Sequence, residues 1–111
     1  MNDSAKKSAD RREHQRYPLA TSVQFYHGPS QREFPARSID ISAGGMLMYV
    51  PAATPVQPGQ AIRLKVGGIG RPEFAGLDEN PVDATVIRVN RRALLAGGYL
   101  AVGVRFVKTY A

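Results

Sequence analysis

Ala61-Ile62-Arg63-Leu64-Lys65-Val66 alternates apolar and polar residues without a break. A period of two marks a strand with one face on a core and one in water, so Ile62, Leu64 and Val66 face inward. Turn-rich sequence flanks the run on both sides. Pro51 to Gln60 holds three prolines and a glycine, and Gly67 to Pro81 is a long loop rich in both residue types. Five further short runs follow the same grammar. Ala20 to Tyr26 sets Val23 and Phe25 on one face and ends in the turn chemistry of His27-Gly28-Pro29-Ser30. Glu33 to Ile41 sets Phe34, Ala36, Ser38 and Asp40 on one face and Arg37, Ile39 and Ile41 on the other. Pro35 in that run suits a strand start or an edge, because it cannot donate to a ladder. Met46 to Val50 is apolar on both faces and belongs near the core. Val82 to Asn90 sets Ala84, Val86 and Arg88 against Thr85, Ile87 and Val89. Arg91 to Gly98 reads as a turn or a single helical turn, and Tyr99 to Val107 as the last strand. Six short strands without an amphipathic helix predict an all-β fold, a six-stranded antiparallel barrel or a sandwich.

The chain of 111 residues is long enough for one domain with a small core. Fifteen basic residues against nine acidic ones leave a formal charge of +6. That surplus favours an anionic partner: nucleic acid, nucleotide, phosphate or anionic membrane. Cysteine is absent, which removes disulfide scaffolds, thiolate zinc sites and thiol catalysis together. No apolar run approaches the roughly 18 residues of a membrane span, and residues 1–16 lack the apolar core of a secretory signal. A cytoplasmic location follows. Residues 1–16 hold no large apolar residue after Met1, so they read as a flexible basic arm, disordered at least to about Ala9.

Several chemistries fail on residue types. Gly67-Gly68-Ile69-Gly70 is followed by no Gly-Lys-Ser/Thr, so no phosphate-binding nucleotide loop is formed. His14 and His27 are the only histidines; each reads as a solvated loop residue, without acidic neighbours at zinc-ligand spacing. No Gly-x-Ser-x-Gly elbow occurs, and the few carboxylates sit mostly in loops. The protein reads as a binding module, not an enzyme.

Two patches remain. Asp10-Arg11-Arg12-Glu13-His14-Gln15-Arg16-Tyr17 carries Arg12 and Arg16 four apart, just ahead of the first strand. Guanidinium forks grip phosphate oxygens and the O6/N7 edge of guanine, and they stack on base planes. The same cluster also reads as a solvated basic tail. Asp40-Ile41-Ser42-Ala43-Gly44-Gly45 places two oxygen-bearing side chains two apart, which on an extended strand share a side. An ionised Asp accepts hydrogen bonds, as the N1–H and N2–H₂ donors of guanine require. That patch also reads as a turn whose serine satisfies its own backbone.

Together, RxxxR at 12–16 and DxSxxG at 40–45 resemble the PilZ domain family. Val86 to Val89 and Gly103-Val104-Arg105-Phe106 are similar to late strands of its barrel, so the likeness runs from about Asp10 to Val107. The resemblance implies a six-stranded PilZ-type barrel over 18–111, an arginine arm over 10–17 and a disordered tail over 1–9. It further implies a receptor for the bacterial messenger cyclic di-GMP, with no other cofactor and no metal. By position, Arg12 and Arg16 would hold phosphate and guanine, Asp40 would accept from a guanine edge, and Ser42 would add a hydrogen bond. Gly45 would allow the turn and a close approach. Arg11, just before the motif, implies a stacked dimer of the messenger. Arg88 falls near a position where the family often has a base-stacking aromatic, and it offers a guanidinium instead. The expected mechanism is a switch: the ligand pins the arm across the barrel, and a downstream protein reads the new surface. The alternative is a small β-barrel for RNA or single-stranded DNA, supported by the charge and by Tyr26, Tyr49 and Phe74 as exposed aromatics.

Overall fold

The computed structural model describes residues 15–67, 70, 74, 76, 80–95 and 98–108, without the side chains of 92–95. Among the described residues its regular structure is β-strand, apart from helical backbone at Phe74 and Gly76. The strands are β1 (Tyr17–Pro18), β2 (Ser22–His27), β3 (Arg32–Ile41), β4 (Gly45–Pro51), β5 (Ala61–Val66), β6 (Val82–Leu95) and β7 (Tyr99–Phe106). All pairings are antiparallel. Neighbours run β3-β2-β5-β6-β7-β4, and β4 returns to β3, which closes a six-stranded barrel; β1 adds a short seventh strand along β3. No helix among the described residues is long and apolar enough to cross a membrane.

Alternation does most of the folding work. In β5, Ile62, Leu64 and Val66 are buried while Ala61, Arg63 and Lys65 are exposed. Val23 and Phe25 of β2 and Val102, Val104 and Phe106 of β7 meet them in the barrel interior. Gly45 opens β4 where only glycine fits: a Cβ there would stand 2.3 Å from the Val104 carbonyl oxygen. Pro35 pairs with Gln24 of β2, and β4 joins β3 only from Arg37 onward, so the proline sits where the other side of β3 is unpaired.

Three expectations meet a different structure. First, the alternation of β3 and β6 is broken by bulges. Ser38 opposes Met48 but Asp40 opposes Leu47, so Ile39 is an extra residue. Asp40 therefore leaves the face of buried Ser38, and Ile41 turns into the core. Likewise Val86 opposes Val104 and Arg88 opposes Gly103, so Ile87 is extra. Arg88 then leaves the face of Ala84 and Val86, and Val89 packs on the core in its place. An inserted residue shifts a period-two pattern by one, which flips every later side chain. Second, β6 continues through Leu95, and the stretch from Arg91 extends the hairpin to β7 instead of forming a helical turn.

Third, two residues read as exposed are buried. His27 is 2% exposed. It falls in phase with Val23 and Phe25 at the end of β2, and its ring lies edge-on to Phe34. Gln60 Oε1 is 2.7 Å from Nε2 and already accepts the Gln57 amide, so it takes the Nε2 proton; Ser30 Oγ is 2.8 Å from Nδ1. Phe74, in the loop after β5, is 1% exposed and packs into the core.

Candidate ligand-binding site

The chain from Arg16 to Thr21 is fastened to β3 along its length. Tyr17 pairs with Ile41 and Pro18 with Asp40, and the Leu19 amide donates to the Ile39 carbonyl at 2.9 Å. The Tyr17 ring stands edge-on to buried Phe74, with centroids 5.9 Å apart. Ser38, buried, donates its hydroxyl to the Leu19 carbonyl at 2.7 Å and accepts the Thr21 amide at 3.0 Å. These contacts place Arg16 beside Asp40, 24 residues away in sequence. Arg16 Nη1 donates to Asp40 Oδ1 at 2.6 Å. Asp40 Oδ2 has no partner among the described residues.

Ser42 has a different task from the shared face expected of it. It is 5% exposed, and its Oγ accepts the Gly44 and Gly45 amides at 3.3 and 3.2 Å. The Ser42 amide donates to the Gly45 carbonyl at 2.8 Å. The serine therefore closes the turn that follows Asp40, and the carboxylate stands over that turn alone. Arg11 and Arg12 lie outside the described residues, as does the flexibility expected of the arm before residue 15.

The two bulges line up. Asp40 pairs with Leu47, Leu47 with Gly103 and Gly103 with Arg88, which makes one row across β3, β4, β7 and β6. All four belong to the outer face: their neighbours Met48, Val102 and Val86 fill the interior. Bulges re-aim side chains beside binding sites, and here two of them bring Asp40 and Arg88 into one line. Arg37 and Arg105 stand on the same face in the adjoining rows, at the pairs Arg37–Tyr49 and Gly45–Arg105. Arg37, Arg88 and Arg105 are exposed and have no ion-pair or hydrogen-bond partner among the described residues. By contrast, Arg63 pairs with Asp83 and Lys65 with Glu33 elsewhere on the barrel. A groove of about 330 Å³, lined by Pro35, Ala36, Arg37, Tyr49, Pro51 and Tyr99, continues the face past Arg37.

The face thus combines one carboxylate with several guanidiniums around an apolar floor. That set suits a ligand that is anionic in one part and a hydrogen-bond donor in another. Sequence reasoning missed Tyr17, Ser38, Arg37 and Arg105; only the burial of an aromatic next to the arginine motif could have drawn attention to Tyr17. The oligonucleotide alternative loses one of its three aromatics, because Phe74 is buried.

The model of the PilZ domain matches residues 10–109. The chain belongs to the PilZ domain family. Among solved structures, the PilZ chain is similar to the inhibitor of motility MotI/DgrA of Bacillus subtilis, at a TM-score of 0.67 and 21% identity. That likeness covers 91% of this chain and 44% of MotI, so the chain spans less than half of that relative. It is also similar to the PilZ domain of YcgR from Escherichia coli, solved with c-di-GMP, at a TM-score of 0.62 and 21% identity over 87% of this chain and 78% of the other. At that identity the two structures establish a shared fold. No curated protein gives a significant match.

Proposed function

We propose that this PilZ domain is a non-enzymatic receptor for cyclic di-GMP. The observation that carries the reading is the Arg16–Asp40 ion pair, which joins the arginine motif to the DxSxxG motif at 2.6 Å. The messenger has two phosphates and two guanines, the two chemistries that these residues serve. Asp40 holds Arg16 through Oδ1 and keeps Oδ2 for the N1–H and N2–H₂ donors of one guanine. Arg12 and Arg16 take phosphate oxygens and the guanine acceptor edge, and Arg88 offers a cationic plane for stacking. Ser42 and Gly45 fix the turn under Asp40. Arg11 extends the arm toward a stacked pair of messenger molecules.

At the upper end of about 1.5–3 kcal/mol each, four or five charge-assisted bonds exceed the magnitude of roughly 8 kcal/mol of a micromolar complex. The difference offsets the ordering of the arm and the lost freedom of the ligand. The receptor then works as a switch: the ligand draws residues 10–16 across the outer face, and a downstream protein reads the altered surface. No nucleic acid and no membrane insertion enters this mechanism, which suits a cytoplasmic protein. The test is isothermal titration of cyclic di-GMP into the protein and into Arg12→Ala, Arg16→Ala and Asp40→Ala, with GTP and cyclic di-AMP as controls. Selective binding that all three substitutions abolish supports the site. Binding that survives them places it elsewhere, and a stoichiometry near two supports the stacked dimer.

A further inference from the structure

Gly103 is the only glycine among the described residues in the middle of a strand, with three residues of β7 following it and four preceding it. Glycine weakens a strand, and a structure retains it there for a bulge, a positive φ, a tight packing contact or the close approach of another group. A positive φ and a tight packing contact do not apply to the Gly103 backbone, and the bulge that Gly103 faces is carried by the other strand. Its φ is not among the positive ones. The extra residue of the adjoining bulge is Ile87 on β6. A Cβ built at Gly103 meets nothing within 4 Å, whereas one at Gly45 would strike the Val104 carbonyl. Close approach remains.

What approaches is indicated by the row in which Gly103 stands. Leu47 lies on one side and Arg88 on the other, with Asp40 beyond Leu47. Leu47 and Arg88 are separated by two strand spacings, about 10 Å, with bare backbone between them. A flat ring whose donor edge meets Asp40 extends across Leu47 toward Arg88 and lies over that backbone. Resting on the cyclic di-GMP reading, we propose that Gly103 is a specificity-determining residue of the site: its missing side chain leaves the floor on which a guanine of the messenger lies, and any larger residue there excludes the ring.

The test compares the parent protein with Gly103→Ala and Gly103→Val by titration of cyclic di-GMP and by thermal melting. The proposal expects affinity to fall in the order Gly, Ala, Val, with Gly103→Val at least about tenfold weaker. It expects the melting temperatures of both variants at or above the parent's, because the new side chain enters open space and restricts the unfolded chain. A structural glycine would show the opposite: clearly lower melting temperatures, which would overturn the proposal. Affinities of both variants within about threefold of the parent's would overturn it too. If the parent itself does not bind, the receptor reading fails and takes the proposal with it; binding by the parent separates the two questions.

Discussion

Arg16 Nη1 and Asp40 Oδ1 lie 2.6 Å apart, with 38% and 24% of the two side chains exposed to solvent. The pair is a latch at the root of the arginine arm. A half-exposed ion pair contributes about 0–1 kcal/mol to stability, so its value lies in position more than in energy. It holds one arginine of the first motif against the carboxylate of the second.

Asp40→Ala should therefore separate binding from folding. Affinity for cyclic di-GMP falls about 100-fold, through loss of an acceptor for two guanine donors. The melting temperature moves by less than about 5 °C. Titration and thermal melting on one preparation check both halves; a collapse of the fold would assign Asp40 to structure.

Tyr17 anchors the arm through Phe74 without standing in the Asp40 row. Tyr17→Ala loosens β1 and weakens messenger binding about tenfold through the cost of re-ordering the arm. Phe74→Ala removes a buried aromatic and destabilises the barrel by about 3–5 kcal/mol. Urea unfolding distinguishes the two positions.

Ser38 links the segment after β1 to β3 from a buried position. Ser38→Ala leaves the Thr21 amide and the Leu19 carbonyl unmatched and costs about 1–3 kcal/mol. Hydrogen exchange at Thr21 should rise sharply in this variant; unchanged protection would show that the hydroxyl does not hold the segment.

His27 fills the end of β2 with both ring nitrogens engaged. His27→Ala leaves a cavity beside Phe34 and removes one of the two hydrogen bonds to Gln60 Oε1, at a cost of about 2–4 kcal/mol. Messenger affinity, measured well below the melting temperature, stays at the parent's value, because His27 is remote in register from the Asp40 row.

Gly45→Ala forces a methyl against the Val104 carbonyl. The strand must shift, so the substitution destabilises the fold by about 1–3 kcal/mol and displaces the turn under Asp40. Both stability and affinity fall together here, in contrast to the expectation at Gly103.

Much of the barrel was legible because alternation is local. Ile62, Leu64 and Val66, or Val23 and Phe25, announce their face by spacing alone, and His27 obeyed the same period although it was read as part of a turn. The two halves of the candidate site were legible for a similar reason: guanidiniums four apart and an Asp-x-Ser-x-x-Gly turn carry their chemistry within a few residues. Arg37, Arg105 and Gly103 were not legible as a group, since they share a face only through pairings between strands distant in sequence.

By itself the sequence determined six of the strands, most of the turns between them, the cationic surplus and the residue types available to meet phosphate and guanine. The tertiary structure alone decided which way Asp40 and Arg88 point. Each lies just past a bulge, and a bulge is a mismatch in count between two paired strands. No single strand contains that count. It is set where β3 meets β4 and β6 meets β7, and one extra residue in each turns the following side chain from the interior to the outer face.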